Sequence, residues 1–279
     1  MRTGRFAMLS ASPMRSADVG VTEEAPAAAA FDAFAPFYDT LTVHQDYDWW
    51  WSALLPLADA AGLSGRRALD VACGTGKSML PLLDLGWSVA GVDVSAGMLA
   101  EAARKVGPSV RLFEHDMRDL PTLGVFDLVC SLNDAVNNVR DAQQLADAFA
   151  GFRRNLAPGG VVIFDVNTIG SFRYFAGGVL AHQEPDRILM LEGSGAEDLE
   201  PGGLVRLDFV VLDRRELFFW SRTRTSHYQR HHPEADVRRA LAAAGLELVE
   251  VRGQIDDRLA PTLDELAHEK AVYVARAPA

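Results

Sequence analysis

Ala68-Leu-Asp-Val-Ala-Cys-Gly-Thr-Gly-Lys-Ser78 decides how the rest of the chain is read. Ala68–Ala72 is an apolar run of strand length, and Ser78–Leu85 reads as a helix that stops at Gly86. Between them the chain has room only for a tight turn. Gly74 and Gly76 carry no Cβ, so the backbone there can approach a ligand closely. The free amides of the following helix N-terminus face the same point. A strand, a glycine turn and a helix in this order predict a ligand-binding crevice at the strand's C-terminal end.

Two other loops share part of this spelling. A dinucleotide fingerprint needs a third glycine three residues after the second, and Met79 stands there. A phosphate-cradling loop ending in Gly76-Lys77-Ser78 needs a glycine five residues earlier. Val71, inside the strand, occupies that position. Both readings are disfavoured.

Working outward, strands and helices alternate. Trp87–Val94 reads as a second strand and Ala96–Lys105 as a helix. Val110–Glu114 and Phe126–Ser131 follow as strands, and Asp141–Leu156 as a long helix. Pro158-Gly159-Gly160 turns the chain into a fifth strand, Val161–Val166. This rhythm implies parallel strands joined by right-handed crossovers. Asp93 ends the second strand, seventeen residues past Gly76. A carboxylate there suits both hydroxyls of a ribose. In Glu114-His-Asp-Met-Arg-Asp119, the Asp116 side chain suits an adenine amino group and the Met117 amide a ring nitrogen. Phe126-Asp-Leu-Val-Cys-Ser-Leu-Asn-Asp134 places small and polar residues at a neighbouring tip.

With these tips taken in order, the sequence resembles the class I S-adenosylmethionine (SAM)-dependent methyltransferases. The resemblance rests on Leu-Asp-Val-Ala-Cys-Gly-Thr-Gly, Gly-Val-Asp-Val-Ser, His-Asp-Met-Arg and Leu-Ala-Pro-Gly-Gly-Val, and spans about residues 31 to 277. Ala72 departs from it, standing where many members carry the first glycine. The resemblance implies an α/β fold: a Rossmann-like seven-stranded sheet with an N-terminal helical lid and a small antiparallel β insertion. It implies SAM as cofactor, with Asp70, Ala72, Cys73, Gly74 and Gly76 around the methionine part and Asp93 on the ribose. Val94 and Met98 would flank adenine, Asp116 and Met117 would read its edge, and Ser131 would approach the amino-acid end. Phe37-Tyr38-Asp39 is similar to the family's lid signature, which places Tyr38 over the sulfonium.

Residues 1–28, rich in Ala, Ser, Gly and Pro, read as a disordered arm. Residues 29–62 read as the helical lid, with Phe31, Phe34 and Tyr38 on one helical stripe. Residues 63–175 form the SAM-binding core and 176–232 the β insertion. Residues 233–279 complete the core, beginning with a helix over Pro233–Ala244. Trp49-Trp50-Trp51 cannot share one helix face, so at least one of the three is expected to meet the cleft or a partner.

SAM carries its own leaving group, so in-line positioning and water exclusion supply much of the rate. A base matters only where the acceptor must lose a proton. His44 is the first candidate and His232 the second. Trp50, Asn133, Asn137, Asn167 and Tyr228 are the candidate substrate contacts, with Asp134 and His231 nearby. The expected reaction is methyl transfer to an N, O or C nucleophile of a small metabolite, with secondary metabolism as one setting. Two alternatives stand beside it: a non-methylating cyclisation or decarboxylation using SAM, and a SAM-binding regulatory protein.

Composition agrees with this. Among 279 residues, 38 acidic and 27 basic side chains give a formal charge of −11, which disfavours nucleic-acid binding. No apolar run reaches the length of a membrane helix, and the early residues lack a secretory apolar segment. The two cysteines, Cys73 and Cys130, make no disulfide framework or metal motif. Buried reduced thiols in a cytoplasmic protein are the simplest reading, and a homo-oligomer stays open.

Overall fold

The computed structural model describes residues 7–10, 27–175, 178–194, 199–216 and 218–279. A short strand, β1 (Ala7–Ser10), precedes two helices, α1 (Ala27–Leu41) and α2 (Tyr47–Ala60). The core then runs β2 (Arg67–Val71), α3 (Met79–Asp84), β3 (Ser88–Asp93), α4 (Ala96–Val106), β4 (Arg111–Glu114), β5 (Phe126–Ser131), α5 (Ala142–Arg154) and β6 (Leu156–Asn167). After α6 (Ile169–Phe175) come β7 (Gly178–Glu184), β8 (Arg187–Ser194), β9 (Leu204–Glu216) and β10 (Phe219–Arg230). Helix α7 (Glu234–Ala243) and strands β11 (Glu247–Ile255), β12 (Arg258–Ala260) and β13 (Lys270–Arg276) close the chain.

The main sheet has the order β12-β11-β13-β6-β5-β2-β3-β4. Strands β4, β3, β2, β5 and β6 pair in parallel, while β13, β11 and β12 pair antiparallel. It is the expected seven-stranded plan with the three-residue β12 added at one edge. The chain leaves β2 toward β3 on one side, and later returns to β5 on the other. A crevice opens at such a reversal, outside the strands' carboxyl ends.

Both faces of this sheet are buried, which explains the nearly continuous apolar strands. Leu69, Val71, Val129, Val162 and Phe164 pack with Phe149 and Phe152 of α5 and Leu241 of α7. Their alternating neighbours Ala68, Leu128, Cys130, Val161 and Ile163 pack with Trp51 and Leu54 of α2 and Leu82 of α3. The period of two is the strand's own.

The insertion forms a second, antiparallel sheet in the order β1-β7-β8-β9-β10. Helix α1 lies between the two sheets. Its Phe34 and Phe37 pack on Leu189 and Val211 of the insertion, while its acidic side chains reach the core loops.

Several expectations change. Most of the expected disordered arm, residues 1–6 and 11–26, lies outside the described residues. Within it Ala7–Ser10 pair with β7, and α1 already starts at Ala27. Helix α6 was not foreseen, because seven residues containing Gly170 carry little helical signal. That glycine serves packing: a Cβ on it would stand 2.6 Å from the Leu266 carbonyl oxygen. None of the described helices is long and apolar enough to cross a membrane.

Candidate active site

The strand tips of the core, helix α1 and the insertion enclose a cleft of about 2180 Å³. Its floor is the turn after β2. Ala72, Gly74 and Gly76 all have positive φ, at 58°, 52° and 82°. Glycine adopts this region freely, whereas a residue with a Cβ is strained there by roughly 1–2 kcal/mol. Ala72 therefore carries a conformational cost that the two glycines of the turn avoid. Above Gly74 the nearest atom to an added Cβ would be Tyr38 Cε1, at 3.8 Å.

Asp93 ties the first two strand tips together. Its Oδ2 accepts the Gly74 amide at 2.8 Å and its Oδ1 the Ser95 amide at 2.9 Å. Burial pushes the carboxyl up, opposed by these amide bonds. A carboxylate offers about four lone-pair sites, so Asp93 retains capacity for two further donors, as a ribose diol requires. Val94 and Met98 line the cleft beside it. Asp116 and Met117 line the next stretch of wall. Against its partial burial, Asp116 is held below the usual carboxylate range by Arg118, whose amide and guanidinium both donate to it.

Helix α1 is tied to this floor by polar contacts. Asp32 accepts from Ser95 Oγ at 2.6 Å and the Gly97 amide at 2.8 Å. Asp39 accepts from Thr75 Oγ1 at 2.5 Å and pairs with Lys105 at 2.5 Å. Lys77 Nζ donates to the Thr42 carbonyl at 2.7 Å. Tyr38 projects from the same helix to the cleft, where its hydroxyl accepts from Asn133 Nδ2 at 3.1 Å. Burial, followed by the nearby Asp134, raises the Tyr38 phenol above its ordinary value. The phenol is therefore neutral at ordinary pH. Asp32 had no sequence signal beyond lying near the aromatic stripe, whereas Asp39 closes the Phe37-Tyr38-Asp39 signature.

Asn133, Asn167, Tyr228, His44 and Trp50 also line the cleft, as does Trp49. The three consecutive tryptophans divide as expected. Trp51 is buried, with its indole donating to the Ser78 carbonyl at 2.7 Å, while Trp49 and Trp50 reach the cleft wall. His44 is exposed, and burial of its surroundings together with Lys77 lowers its pKa.

Other candidates sit behind the surface. Asp70 is buried, accepts the Ser78 hydroxyl, and is raised by burial to about 7. Cys73 is buried under the turn, with its thiol pushed up by burial. Gly76 faces Ala102 and Val106 of α4, where a Cβ would stand 3.1 Å from each. It seats that helix and does not present backbone to a ligand. Ser131 is fully buried, and its Oγ has no partner among the described residues.

Two expectations need correction outright. Asn137 does not reach the cleft. Its Nδ2 donates to the Arg230 carbonyl at 2.8 Å and its Oδ1 accepts the Asn167 amide at 2.9 Å. His232 is buried, and its Nε2 donates to the Val139 carbonyl at 3.0 Å. Burial drops its pKa to about 4. Both side chains satisfy backbone groups that would otherwise be buried unpaired.

A cluster missed in the sequence lies at the tips of β5, β6 and β13. Lys270 Nζ donates to Asp134 Oδ1 and Asp165 Oδ2, both at 2.8 Å. Against its burial, these two carboxylates raise the lysine above its ordinary value. Gln229 of the insertion donates to Asp134 Oδ2 at 2.6 Å. The available signal was a lone charge inside each of two apolar strands. Among the described residues, no group of three or more His, Cys, Asp or Glu is placed to hold a metal.

The residues present fit a nucleoside carrying an amino-acid tail. Asp93 has spare acceptor capacity, a Cβ on Gly74 would meet only the Tyr38 ring at 3.8 Å, and the cleft volume exceeds what one such ligand fills. Comparison with known proteins agrees. A methyltransferase-domain family matches residues 68–160. The chain is 28% identical over 238 residues to the Bacillus subtilis protein YqeM, named as a methyltransferase, covering 81% of this chain and 90% of that one. It is 35% identical over 97 residues to a Streptomyces venezuelae dTDP-3-amino-3,4,6-trideoxy-alpha-D-glucopyranose N,N-dimethyltransferase, covering 35% and 40%. A solved S-adenosylmethionine-dependent methyltransferase from Clostridium acetobutylicum shares the fold, with a TM-score of 0.74, 24% identity and coverage of 89% and 99%.

Proposed function

We propose, for a chain that belongs to the class I SAM-dependent methyltransferases, that the methyl acceptor is a small polar molecule bound between helix α1 and the β insertion. The observation that carries this reading is the Tyr38–Asn133 contact at 3.1 Å. It spans from α1 to the tip of β5, directly above the glycine turn. Ala72 and Gly74 of the turn, Asp93 and Met98 line the same cleft as Asn167, Gln229 and Tyr228.

When bound, SAM supplies an electrophilic methyl group on a positively charged sulfur. In this reading Asp93 holds the ribose, Val94 and Met98 flank the adenine, and Asp116 with Met117 reads its edge. Tyr38, a neutral phenol lining the cleft above Gly74, would screen the sulfur from water. Aromatic faces next to a cation are favourable, and excluding water strengthens each polar contact in the cleft. The acceptor is positioned by polar side chains from β5, β6 and β10. The Streptomyces venezuelae relative, named for transfer to an aminosugar, supports a small polar acceptor.

The test has two steps. Calorimetric titration with S-adenosylhomocysteine should show one site per chain, weakened by Asp93→Ala. Incubation with SAM and a library of small amines, alcohols and sugars should then yield a product heavier by one methyl group. Binding without any methylated product across the library would overturn the transfer reading. An absence of binding would overturn the cofactor reading as well.

A further inference from the structure

Asn133 and Asp134 are consecutive non-glycine residues at φ 62° and 55°. The left-handed region is disfavoured for L-residues, so something must hold this turn. Asp165 does so, accepting the Asn133 amide at 2.6 Å and the Asp134 amide at 2.9 Å. The Asp165 side chain is fully buried. A buried carboxylate needs an opposite charge, and Lys270 supplies it at 2.8 Å. The same ammonium donates to Asp134.

Two carboxylates against one ammonium leave a single negative charge. It is not shared evenly with respect to solvent, because the Asp134 side chain is 22% exposed and that of Asp165 is 0% exposed. The uncompensated charge therefore faces the cleft at Asp134. Each Asp134 oxygen accepts one bond, from Lys270 or Gln229, and so has a lone pair left. The wider wall shares this sign, since nine carboxylates and five Lys or Arg side chains line the cleft.

Methyl transfer moves positive charge from sulfur to the acceptor atom. With an amine bound as its free base, the nitrogen lone pair forms the new N–C bond and the C–S bond breaks with its electrons returning to sulfur. The nitrogen then carries the charge until it loses a proton to solvent. A fixed carboxylate beside that nitrogen stabilises charge where it develops. A hydroxyl acceptor would have to lose its proton first, and the same carboxylate would oppose the resulting alkoxide.

We infer that Asp134 is the acceptor-binding carboxylate and takes an N–H of a small-molecule amine, with Lys270 and Asp165 as the buried residues that position it. This rests on the methyl-transfer reading above.

The test uses the full chain loaded with S-adenosylhomocysteine and two matched pairs of probes: glucosamine with glucose, and benzylamine with benzyl alcohol. Calorimetry should show at least one amine binding tenfold or more tighter than its hydroxyl partner. Asp134→Asn should abolish the preference while leaving S-adenosylhomocysteine affinity within about threefold. Lys270→Met should raise KM for a methylated amine without raising KM for SAM, whereas Lys270→Arg should recover part of the loss. A purely structural lysine would lower melting temperature and SAM affinity together. If Lys270→Met does not fold, Gln229→Leu, which removes the other donor to Asp134, replaces it with the same expected KM rise. Equal binding of amine and hydroxyl partners, a preference that survives Asp134→Asn, or no amine binding at all would each overturn the inference. Failure of the methyl-transfer reading looks different: amine preference persists, but SAM yields no methylated amine.

Discussion

Asp32 of α1 accepts the amide of Gly97, in the first turn of α4, at 2.8 Å. The helix that covers the cleft thus helps cap the helix beneath it, alongside the Ser95 hydroxyl, which accepts the Met98 amide at 3.0 Å. Asp32→Ala should cost about 1 kcal/mol of stability, the usual scale of a lost cap. Because α1 is loosened over the cofactor loops, the Kd for S-adenosylhomocysteine should rise by roughly threefold to tenfold, since 1.4 kcal/mol is a factor of ten. Urea denaturation and calorimetry measure the two effects separately.

Asp93 should show the reverse balance. It bonds the Gly74 and Ser95 amides, and hydrogen bonds to charged groups contribute roughly 1.5–3 kcal/mol. Asp93→Ala should weaken S-adenosylhomocysteine by on the order of a hundredfold if the ribose takes the remaining lone pairs. A Kd within threefold of the parent protein would remove Asp93 from the cofactor site.

Asp70 predicts a pH dependence. Burial raises its carboxyl to about 7 in the folded chain, beyond what the Ser78 and Cys130 hydrogen bonds pull back. The unfolded value lies near 3.9, so between these limits the folded state binds more protons than the unfolded. Stability from this group is therefore greatest below about pH 4, falls as pH rises toward about 7, and levels off above it. The difference is on the order of 4 kcal/mol, at 1.36 kcal/mol per pH unit. Urea midpoints of the ligand-free protein and of Asp70→Asn, compared at pH 4.5 and 7.5, should show a smaller decline in the variant.

The two histidine candidates should separate. His44 lines the cleft with a depressed pKa, so it stands neutral near pH 7 and able to take a proton. If it acts as base, His44→Ala should lower kcat by roughly a hundredfold or more and leave melting temperature unchanged. Unchanged turnover would remove the proposal. His232→Ala should do the opposite, costing about 1–3 kcal/mol of stability by leaving the Val139 carbonyl unpaired, with kcat retained.

Legibility in the sequence followed distance along the chain. Ala72 and Gly74 of the turn after β2, the Asp93 tip and the Asp116 tip are local patterns of strand, glycine and acid, and each lines the cleft, while Cys73 and Gly76 of the same turn lie behind it. Asn137 and His232 misled because a polar residue near a strand tip can face the cleft or turn inward to a backbone carbonyl. Both turned inward. Asp165 and Lys270 lie 105 residues apart, and they meet only because β13 runs antiparallel to β6. No local pattern announces that pairing. The helix expected over Ala96–Lys105 is observed over Ala96–Val106, a difference of one residue.

Helix α1 grips the cofactor loops through Asp32 and Asp39, with Thr42 just past its end, and grips the insertion through Phe34 and Phe37. Whatever free energy the first ligand spends in steadying this helix is free energy the second need not supply. Thermodynamic reciprocity then requires that acceptor tighten cofactor by the same factor that cofactor tightens acceptor. In the proposed reading the two ligands are thus linked through one helix.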